Sequence, residues 1–246
     1  MLNEQKIRQA LAFDMPVTCL DVTDSTNLRL KEICRAGDCR VQLLCADHQT
    51  AGRGRLGRSF LSPEGTGIYM SLLLPLRSDD LPLTIRAAVA VCRAVEEVCG
   101  TSLKIKWVND LFLQGKKVCG ILAEGVDNMA VLGIGLNVKT PENGFPGVPV
   151  AGALDTDADR ETLMGRIGFH MLQALQENKN SILNQYRERM LLLGKEISFM
   201  QAGQKKTGRV LGVDERGGLI TETKTGTEIL RTGEVSIGSH QVSAFE

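Results

Sequence analysis

The sequence lacks a net charge, a long apolar run and a regular cysteine pattern, and each absence excludes a class of protein. Its 246 residues include 29 basic and 29 acidic side chains, so no overall field attracts the chain to nucleic acid or to an anionic membrane. Its longest apolar stretches, such as residues 68–76, are far shorter than the roughly 20 residues of a membrane span. We therefore expect no nucleic-acid or membrane partner, and any functional charge must be local.

Cysteine and histidine spacing argues against a metal site. Seven cysteines form no C-x-x-C pair, and three histidines complete no zinc-binding spacing. The first 15 residues are mixed polar and lack the apolar core of a secretory signal peptide. Disulfides are rare in reducing compartments, whereas secreted proteins use them freely. The chain is therefore expected to be cytoplasmic, with reduced thiols and no metal ligands.

Length and composition predict two domains. A chain of 246 residues favours one large domain plus a small one. Its 43% hydrophobic and 24% charged residues are close to average globular usage, so wholesale disorder is not expected. Amphipathic helices and strands are mixed up to residue 193, which indicates an α+β fold with helices packed on a large mixed sheet. From residue 194 onward, short strands separated by glycines indicate a small five-stranded barrel. The predicted domains are residues 1–193 and 194–246.

The most informative loop, called the arginine loop below, covers residues 49–58 and reads Gln-Thr-Ala-Gly-Arg-Gly-Arg-Leu-Gly-Arg. Its glycines let backbone N–H groups approach a ligand, and Arg53, Arg55 and Arg58 offer planar, bidentate donors for carboxylate or phosphate. The spacing matches neither the dinucleotide-binding glycine motif nor a P-loop. In a neutral chain, this loop is a positive pole suited to a nucleotide. A solvated basic hairpin tip and an RGG-like nucleic-acid contact remain alternatives.

A second cluster lies on the strand that begins at Lys116. Alternation along this strand places Lys117 on one face with Cys119 and Ile121. A lysine on an apolar face must be neutral, paired or bound to an anion, because burying it bare is costly. Alternatively, its stem packs while its ammonium group reaches water. Trp107 is the only tryptophan, and a core anchor is the simplest interpretation of it.

Five motifs, in their order along the chain, resemble those of the biotin protein ligase family. They are Asp-Ser-Thr-Asn at 24–27, the arginine loop at 49–58, Lys-Trp-Val-Asn-Asp at 106–110, Gly-Lys-Lys-Val-Cys-Gly-Ile-Leu-Ala-Glu at 115–124 and Gly-Ile-Gly-Leu-Asn-Val at 133–138. Because a small barrel follows them, the resemblance covers nearly the whole chain. It implies a catalytic domain like that of the class II synthetases and an SH3-like C-terminal barrel.

The resemblance implies a two-step acyl transfer. Biotin's carboxylate attacks the α-phosphate of ATP, which is normally bound as its Mg²⁺ complex, and gives biotinyl-5′-AMP and pyrophosphate. The ε-amine of one lysine on the biotin carboxyl-carrier domain of a biotin-dependent carboxylase then attacks the mixed anhydride and releases AMP. No enzyme side chain becomes covalent, which agrees with the lack of a nucleophile elbow. The chemistry needs charge neutralisation and a dry site instead.

The resemblance also assigns residues to the ligands. Ser25, Thr26 and Asn27 surround biotin's ureido ring, with Gln49 beside it, because hydroxyl and amide groups suit a neutral ring with N–H donors and a carbonyl. The arginine loop lines the path of the carboxylate and phosphates and closes over the intermediate. The other implied binding residues are Arg53, Gly54, Arg55, Arg58, Trp107, Lys117, Gly120 and Asn137.

Four residues are implied in catalysis: Lys117, Arg53, Arg55 and Asp110. Lys117 matches the family's lysine that bridges biotin's carboxylate and the α-phosphate, which makes it the principal electrostatic catalyst. Asp110 could orient Lys117, hold Mg²⁺ or help to deprotonate the incoming lysine. The family usually has proline where this chain has Val108. That change frees φ and adds an N–H donor, so we expect a local backbone change and retained activity.

Two other functions are weighed against the biotin ligase. A lipoate ligase shares the fold and the adenylation chemistry, but its Arg-Arg…Gly-Gly-Gly run is absent here. A nucleic-acid-binding module would use the arginine loop and the barrel, and the neutral net charge argues against it. Only 24 residues precede Ser25, fewer than the roughly 50 of a small domain, so we expect the monofunctional ligase without an N-terminal DNA-binding domain. A homodimer is left open.

Overall fold

The computed structural model describes residues 1–76, 81–201, 203–233 and 235–237. These ranges form five α-helices and twelve β-strands. The helices are α1 Glu4–Leu11, α2 Thr26–Arg35, α3 Leu83–Cys99, α4 Arg160–Gln176 and α5 Lys179–Glu188. The strands are β1 Val17–Thr23, β2 Gln42–Gln49, β3 Gly67–Pro75, β4 Lys104–Lys106, β5 Asp110–Leu113, β6 Lys116–Val126, β7 Met129–Asn137, β8 Glu196–Gln201, β9 Gln204–Val213, β10 Leu219–Thr223, β11 Gly226–Leu230 and β12 Val235–Ile237.

The larger of two sheets has seven strands in the order β1-β2-β3-β7-β6-β5-β4. β1 and β2 pair in parallel, whereas all other neighbours pair antiparallel. The parallel pair requires a crossover connection, and α2 supplies it. The mixed sheet with packed helices confirms the predicted α+β fold.

The two faces of this sheet have different coverings. Along β3, Ile68, Met70 and Leu72 point into the main hydrophobic core with residues of α1, α3, α4 and α5. The alternate residue Leu73 packs instead with Leu30 of α2 in a smaller cluster on the other face. Because the short helix α2 covers only part of this second face, room remains beside it for a ligand.

The long helix α3 follows its sequence pattern closely. Its apolar residues recur at three- and four-residue steps, and Ala88, Val91, Cys92 and Val95 are all buried. Gly100 ends the helix with φ 64°, and its backbone N–H donates to the carbonyl of Glu96. Helix α1, by contrast, was not expected in the mixed polar N-terminal segment. None of the helices in the described part of the chain combines the length and apolar character that a membrane crossing requires.

The smaller sheet contains the five strands expected after residue 194. It is antiparallel, in the order β11-β10-β9-β8-β12. No ladder joins β11 to β12 among the described residues, so the described strands form an open sheet there. The last strand was expected to reach Gly238, which lies outside the described residues. The boundary near residue 193 stays a prediction.

The expectation that all thiols are reduced is wrong for one pair. Cys34 and Cys39 form a disulfide, with Cα atoms 4.3 Å apart. Cys34 lies in the last turn of α2, and the chain reverses through Gly37, which has φ 105°. That turn brings Cys39 back beside the helix end. C-x-x-C spacing does not reveal this pair, because Cys34 and Cys39 are five residues apart and meet only where the chain reverses after α2.

Candidate active site

One cavity of about 800 Å³ lies on the partly covered face of the large sheet. Its walls are the N-terminal turn of α2, the arginine loop, residues 145–151 and part of the smaller sheet. All the residues predicted from the sequence line this cavity, namely Ser25, Thr26, Asn27, Gln49, Arg53, Gly54, Arg55, Arg58, Trp107, Asp110, Lys117, Gly120 and Asn137. The structure thus brings together five motifs that are spread over more than a hundred residues.

Glycines form the floor of the cavity. Gly133 and Gly135 lie on β7, and Gly120 lies opposite Gly135 on β6. A β-carbon at position 133 would overlap the amide oxygen of Asn27, and one at position 135 would lie 2.6 Å from the ring of Phe60. These positions must therefore stay without side chains for the walls to approach the sheet. The glycines of residues 133–138 were part of a motif, but the sequence did not show what they approach.

One end of the cavity is a network of uncharged groups at the start of α2. The backbone N–H and hydroxyl of Thr26 both donate to Oε1 of Gln49, at 2.9 and 3.1 Å. The amide of Gln49 donates to the hydroxyl of Ser62 at 2.9 Å, and the hydroxyl of Ser71 lies 2.6 Å from Oδ1 of Asn27. Ser25, Thr26 and Asn27 are buried. This end can therefore hold a neutral polar group in a fixed orientation.

The arginine loop folds as a tight hairpin over the cavity. The N–H of Gly54 donates to the carbonyl of Arg58 at 2.7 Å, and the N–H of Phe60 donates to that of Gly52 at 2.8 Å. Leu56, at the tip, has φ 55° and is exposed. The loop thus presents Arg53, Arg55 and Arg58 to the cavity through a short backbone path.

Arg55 links the loop to Asn109, which directly precedes β5, and to Gly233, which lies between β11 and β12. Its Nη1 donates to Oδ1 of Asn109 at 3.0 Å, and its Nη2 donates to the carbonyl of Gly233 at 3.4 Å. Asn109 is itself fixed by Ile121, because each donates a hydrogen bond to the other's carbonyl, at 3.0 and 2.9 Å. Asn109 was in the 106–110 motif without a role. Only the tertiary contact shows that it is the partner of Arg55.

Lys117 and Asp110 form an ion pair in the cavity, with 2.7 Å between Nζ and Oδ1. Leu111 pairs with Cys119 and Phe112 pairs with Lys117, so Val118 is an extra residue in a β-bulge. The bulge turns Lys117 away from the face of Cys119 and toward Gly120, where a β-carbon would lie 3.6 Å from Nζ. The expectation that Lys117 shares the face of Cys119 and Ile121 is therefore wrong, because simple alternation assumes an unbroken strand.

Asn137 and Trp107 line the cavity while they anchor other elements. Nδ2 of Asn137 donates to the carbonyl of Gly152 at 2.8 Å. This hydrogen bond fixes the chain around Gly152 over the start of β6. The indole N–H of Trp107 donates to the carbonyl of Gly217, in the turn between β9 and β10, at 2.9 Å. Trp107 is buried, as a core anchor is. The Trp107–Val108 peptide bond is cis.

Phe60 is a cavity residue that the sequence analysis did not single out. Its ring lies against Gly120 and Gly135, and it meets Tyr69 edge-on with 6.5 Å between the ring centroids. The hydroxyl of Tyr69 donates to the carbonyl of Pro63 at 2.9 Å, and burial raises the pKa of Tyr69 to about 12. An apolar aromatic wall beside cationic groups keeps water away from them.

The arrangement can therefore hold an elongated ligand with a neutral polar end and an anionic end. The uncharged network suits the first end, and Lys117 with the arginines suits the second. No nucleophile and base pair of the kind used in covalent catalysis lines the cavity among the described residues. The chemistry it supports is electrostatic, by neutralising charge in a partly enclosed space.

Comparison with known proteins agrees with this geometry. Residues 19–140 match the profile of the Biotin/lipoate A/B protein ligase family, and residues 192–238 match the Biotin protein ligase C terminal domain. The chain is 31% identical to a biotin–[acetyl-CoA-carboxylase] ligase of Mycobacterium tuberculosis, over 87% of this chain and 85% of that protein. It is 32% identical to the enzyme of that name from Paracoccus denitrificans, over 88% and 98%.

A solved structure has the same fold. It is the biotin protein ligase from Aquifex aeolicus in complex with biotin and ATP, with a TM-score of 0.75 and 32% identity. The match covers 91% of this chain and 98% of that chain. A match of this extent covers most of the described fold.

Proposed function

The chain belongs to the biotin/lipoate A/B protein ligase family, and from this premise we propose that it activates biotin with ATP and transfers biotin to a lysine of a biotin carboxyl-carrier domain. The observation that carries the proposal is the single cavity with an uncharged, hydrogen-bonded end and a cationic end. Biotin has a neutral ureido ring at one end and a carboxylate at the other, so the two ends of the ligand and the cavity correspond.

In the first step, the carboxylate oxygen of biotin forms a bond to the α-phosphorus of ATP, and the bond to the pyrophosphate oxygen breaks. Two anions must approach each other, so the barrier falls where fixed positive charge lies between them. Lys117 supplies that charge from β6, and its ion pair with Asp110 at 2.7 Å supports an orienting role for Asp110. Arg53, Arg55 and Arg58 extend the positive field along the triphosphate.

In the second step, the ε-amine of the carrier lysine forms a bond to the acyl carbon, and AMP leaves with the electrons of the mixed-anhydride bond. The adenylate must be kept from water until the amine arrives. The hairpin of residues 49–58, the ring of Phe60 and the hydrogen bond from Arg55 to Asn109 supply such a cover.

Mg²⁺ accompanies the triphosphate and supplies further charge neutralisation when bound. Among the described residues, Asp110 is the carboxylate that lines the cavity, and it already pairs with Lys117. Because this carboxylate is already paired with Lys117, the cavity fits a Mg²⁺ ion that is held mainly by phosphates and water.

The test is a transfer assay with the purified chain. We expect that ATP, Mg²⁺ and biotin together attach biotin to a carrier domain, and that a carrier with its target lysine replaced by arginine stays unmodified. In thermal unfolding, biotin with Mg-ATP should raise the melting temperature more than either ligand alone, because the adenylate binds to the folded state. If lipoate is transferred and raises the melting temperature while biotin does neither, the proposal is overturned in favour of a lipoate ligase.

A further inference from the structure

Glu124 closes the motif at 115–124 but is not among the implied catalytic or binding residues. It lies on β6, and its carboxylate accepts a hydrogen bond from Nδ2 of Asn27 at 2.9 Å and one from Lys31 at 2.6 Å. Both donors belong to α2. Among the described residues that line the ligand cavity, Glu124 is not included, so it acts from behind Asn27.

The contact with Glu124 determines which way the side-chain amide of Asn27 points. A carboxylate only accepts hydrogen bonds, so Nδ2 must face Glu124, and Oδ1 lies 2.6 Å from the hydroxyl of Ser71 on the other side. Without the carboxylate, the amide can turn by 180° and exchange its donor and acceptor. A turned amide would offer the ligand the wrong hydrogen-bonding groups.

Charge keeps Glu124 in this role. The side chains of Glu124 and Lys31 are only 19% and 13% exposed, so each needs the other. Burial opposes ionisation of Glu124, but hydrogen bonds from Asn27 and Lys31 outweigh it and hold the pKa of this carboxyl below its ordinary value. Nη2 of Arg53 lies 3.8 Å from the same carboxylate, so Glu124 also faces the arginine loop.

We propose that Glu124 is a positioning residue for biotin recognition. It fixes the side-chain amide of Asn27 toward the ureido ring and holds Arg53 beside its own carboxylate. This inference rests on the proposed function, because it assigns the ureido ring to the end of the cavity where Asn27 lies. It makes Glu124 the connection between the uncharged and the cationic ends of the site.

The first test is Glu124→Gln, which keeps the shape of the side chain. Glutamine presents an N–H as readily as an oxygen, so it no longer determines the orientation of Asn27. We expect the Kd for biotin to rise about tenfold, while the KM for ATP and the kcat at saturating biotin change less than about threefold. Glu32→Gln is the matched control, since Glu32 lies on α2 and its side chain pairs only with Arg29 among the described residues, and this variant should bind biotin normally.

A double-mutant cycle separates positioning from general support of the fold. If Glu124 acts through Asn27, adding Glu124→Gln to Asn27→Ala should weaken biotin binding by less than about twofold more. An equal tenfold loss in both backgrounds would overturn the inference. If Glu124→Gln does not fold, Glu124→Asp is used instead, because it keeps the charge on a shorter side chain. Normal biotin affinity of Glu124→Asp, with its hydrogen bond to Asn27 retained, would support the role of the carboxylate.

The outcomes distinguish this inference from the proposed function. If the unmodified protein binds no biotin and makes no biotinyl-5′-AMP, the proposed function fails. If it does both, and Glu124→Gln binds biotin as tightly as the unmodified protein, only the role of Glu124 is wrong.

Discussion

The two ends of the ligand cavity differ in burial and in charge. The ring end, formed by Ser25, Thr26, Asn27 and Gln49, is uncharged, and Asn27 is only 4% exposed. At the charged end, formed by Arg53, Arg55, Asp110 and Lys117, the side chain of Arg53 is 43% exposed and that of Lys117 is 29% exposed. The first is preorganised by hydrogen bonds among these side chains and with Ser62, Ser71 and Glu124, whereas the second consists of charged side chains that are partly exposed.

This difference follows from the cost of burying charge. Neutral groups can be buried at little cost once their hydrogen bonds are satisfied. Lysine and arginine cannot, so they stay hydrated or paired until an anionic ligand replaces the water. The ring end should therefore control affinity for biotin, and the charged end should control the rate of adenylation and retention of the intermediate.

The largest effect is expected from Lys117→Ala at the charged end. Removing the positive charge between two reacting anions should slow adenylate formation by on the order of a hundredfold or more. ATP–pyrophosphate exchange measures the rate. Lys116→Ala is the matched control, because Lys116 is the neighbouring lysine and donates to the carbonyl of Pro149. A Lys117→Ala enzyme with near-normal exchange would remove Lys117 from its role.

A smaller effect is expected at the ring end from Gly133→Ala. The added methyl group would overlap the amide oxygen of Asn27, and overpacking of this kind costs about 1–3 kcal/mol. If this cost falls on the binding-competent state, biotin affinity measured by calorimetry should fall by about five- to 160-fold. Gly125→Ala is the control, since nothing lies within 4 Å of a β-carbon there. Equal biotin affinity in the two variants would mean that the ring end is not preorganised.

Arg55→Gly tests the cover over the intermediate. It removes the hydrogen bonds to Asn109 and Gly233, worth about 1 kcal/mol in all, so biotinyl-5′-AMP should leave about fivefold faster while biotin binds as before. The free adenylate can be quantified after rapid filtration. Arg40→Gly, which removes an exposed arginine paired with Asp38, should leave retention unchanged. Unchanged retention in Arg55→Gly contradicts a covering function for the loop.

The smallest effect is a pH dependence of stability at the contact between the two ends. The folded protein holds the pKa of Glu124 below its ordinary value of 4.5, so Glu124 stabilises the fold fully above that pH and loses this contribution as the pH falls through its folded-state pKa. Urea unfolding should therefore show that Glu124→Gln lowers the free energy of unfolding less below pH 4.5 than above it. If the loss in free energy of unfolding is the same at every pH, the charge of Glu124 does not matter. Glu32→Gln provides the reference.

Much of the fold could be predicted from the sequence because local patterns carried it. Apolar spacing and Gly100 mark the span of α3, and short strands separated by glycines indicated the smaller sheet. The residues predicted as a set from five motifs resembling one family line a common cavity, and their individual roles stay a prediction. The disulfide could not be predicted, because Cys34 and Cys39 meet only where α2 ends and the chain reverses.

The sequence by itself determined which groups are available: an uncharged start of α2, three arginines among glycines, and one lysine on a strand of the central sheet. Only the tertiary structure decided how they meet. The bulge at Val118 aims Lys117 into the cavity, Asn109 receives Arg55, and Glu124 orients Asn27 from a strand almost a hundred residues away. These contacts depend on register and on side-chain direction across the sheet, which no local pattern specifies because partners distant in the chain are brought together only by folding.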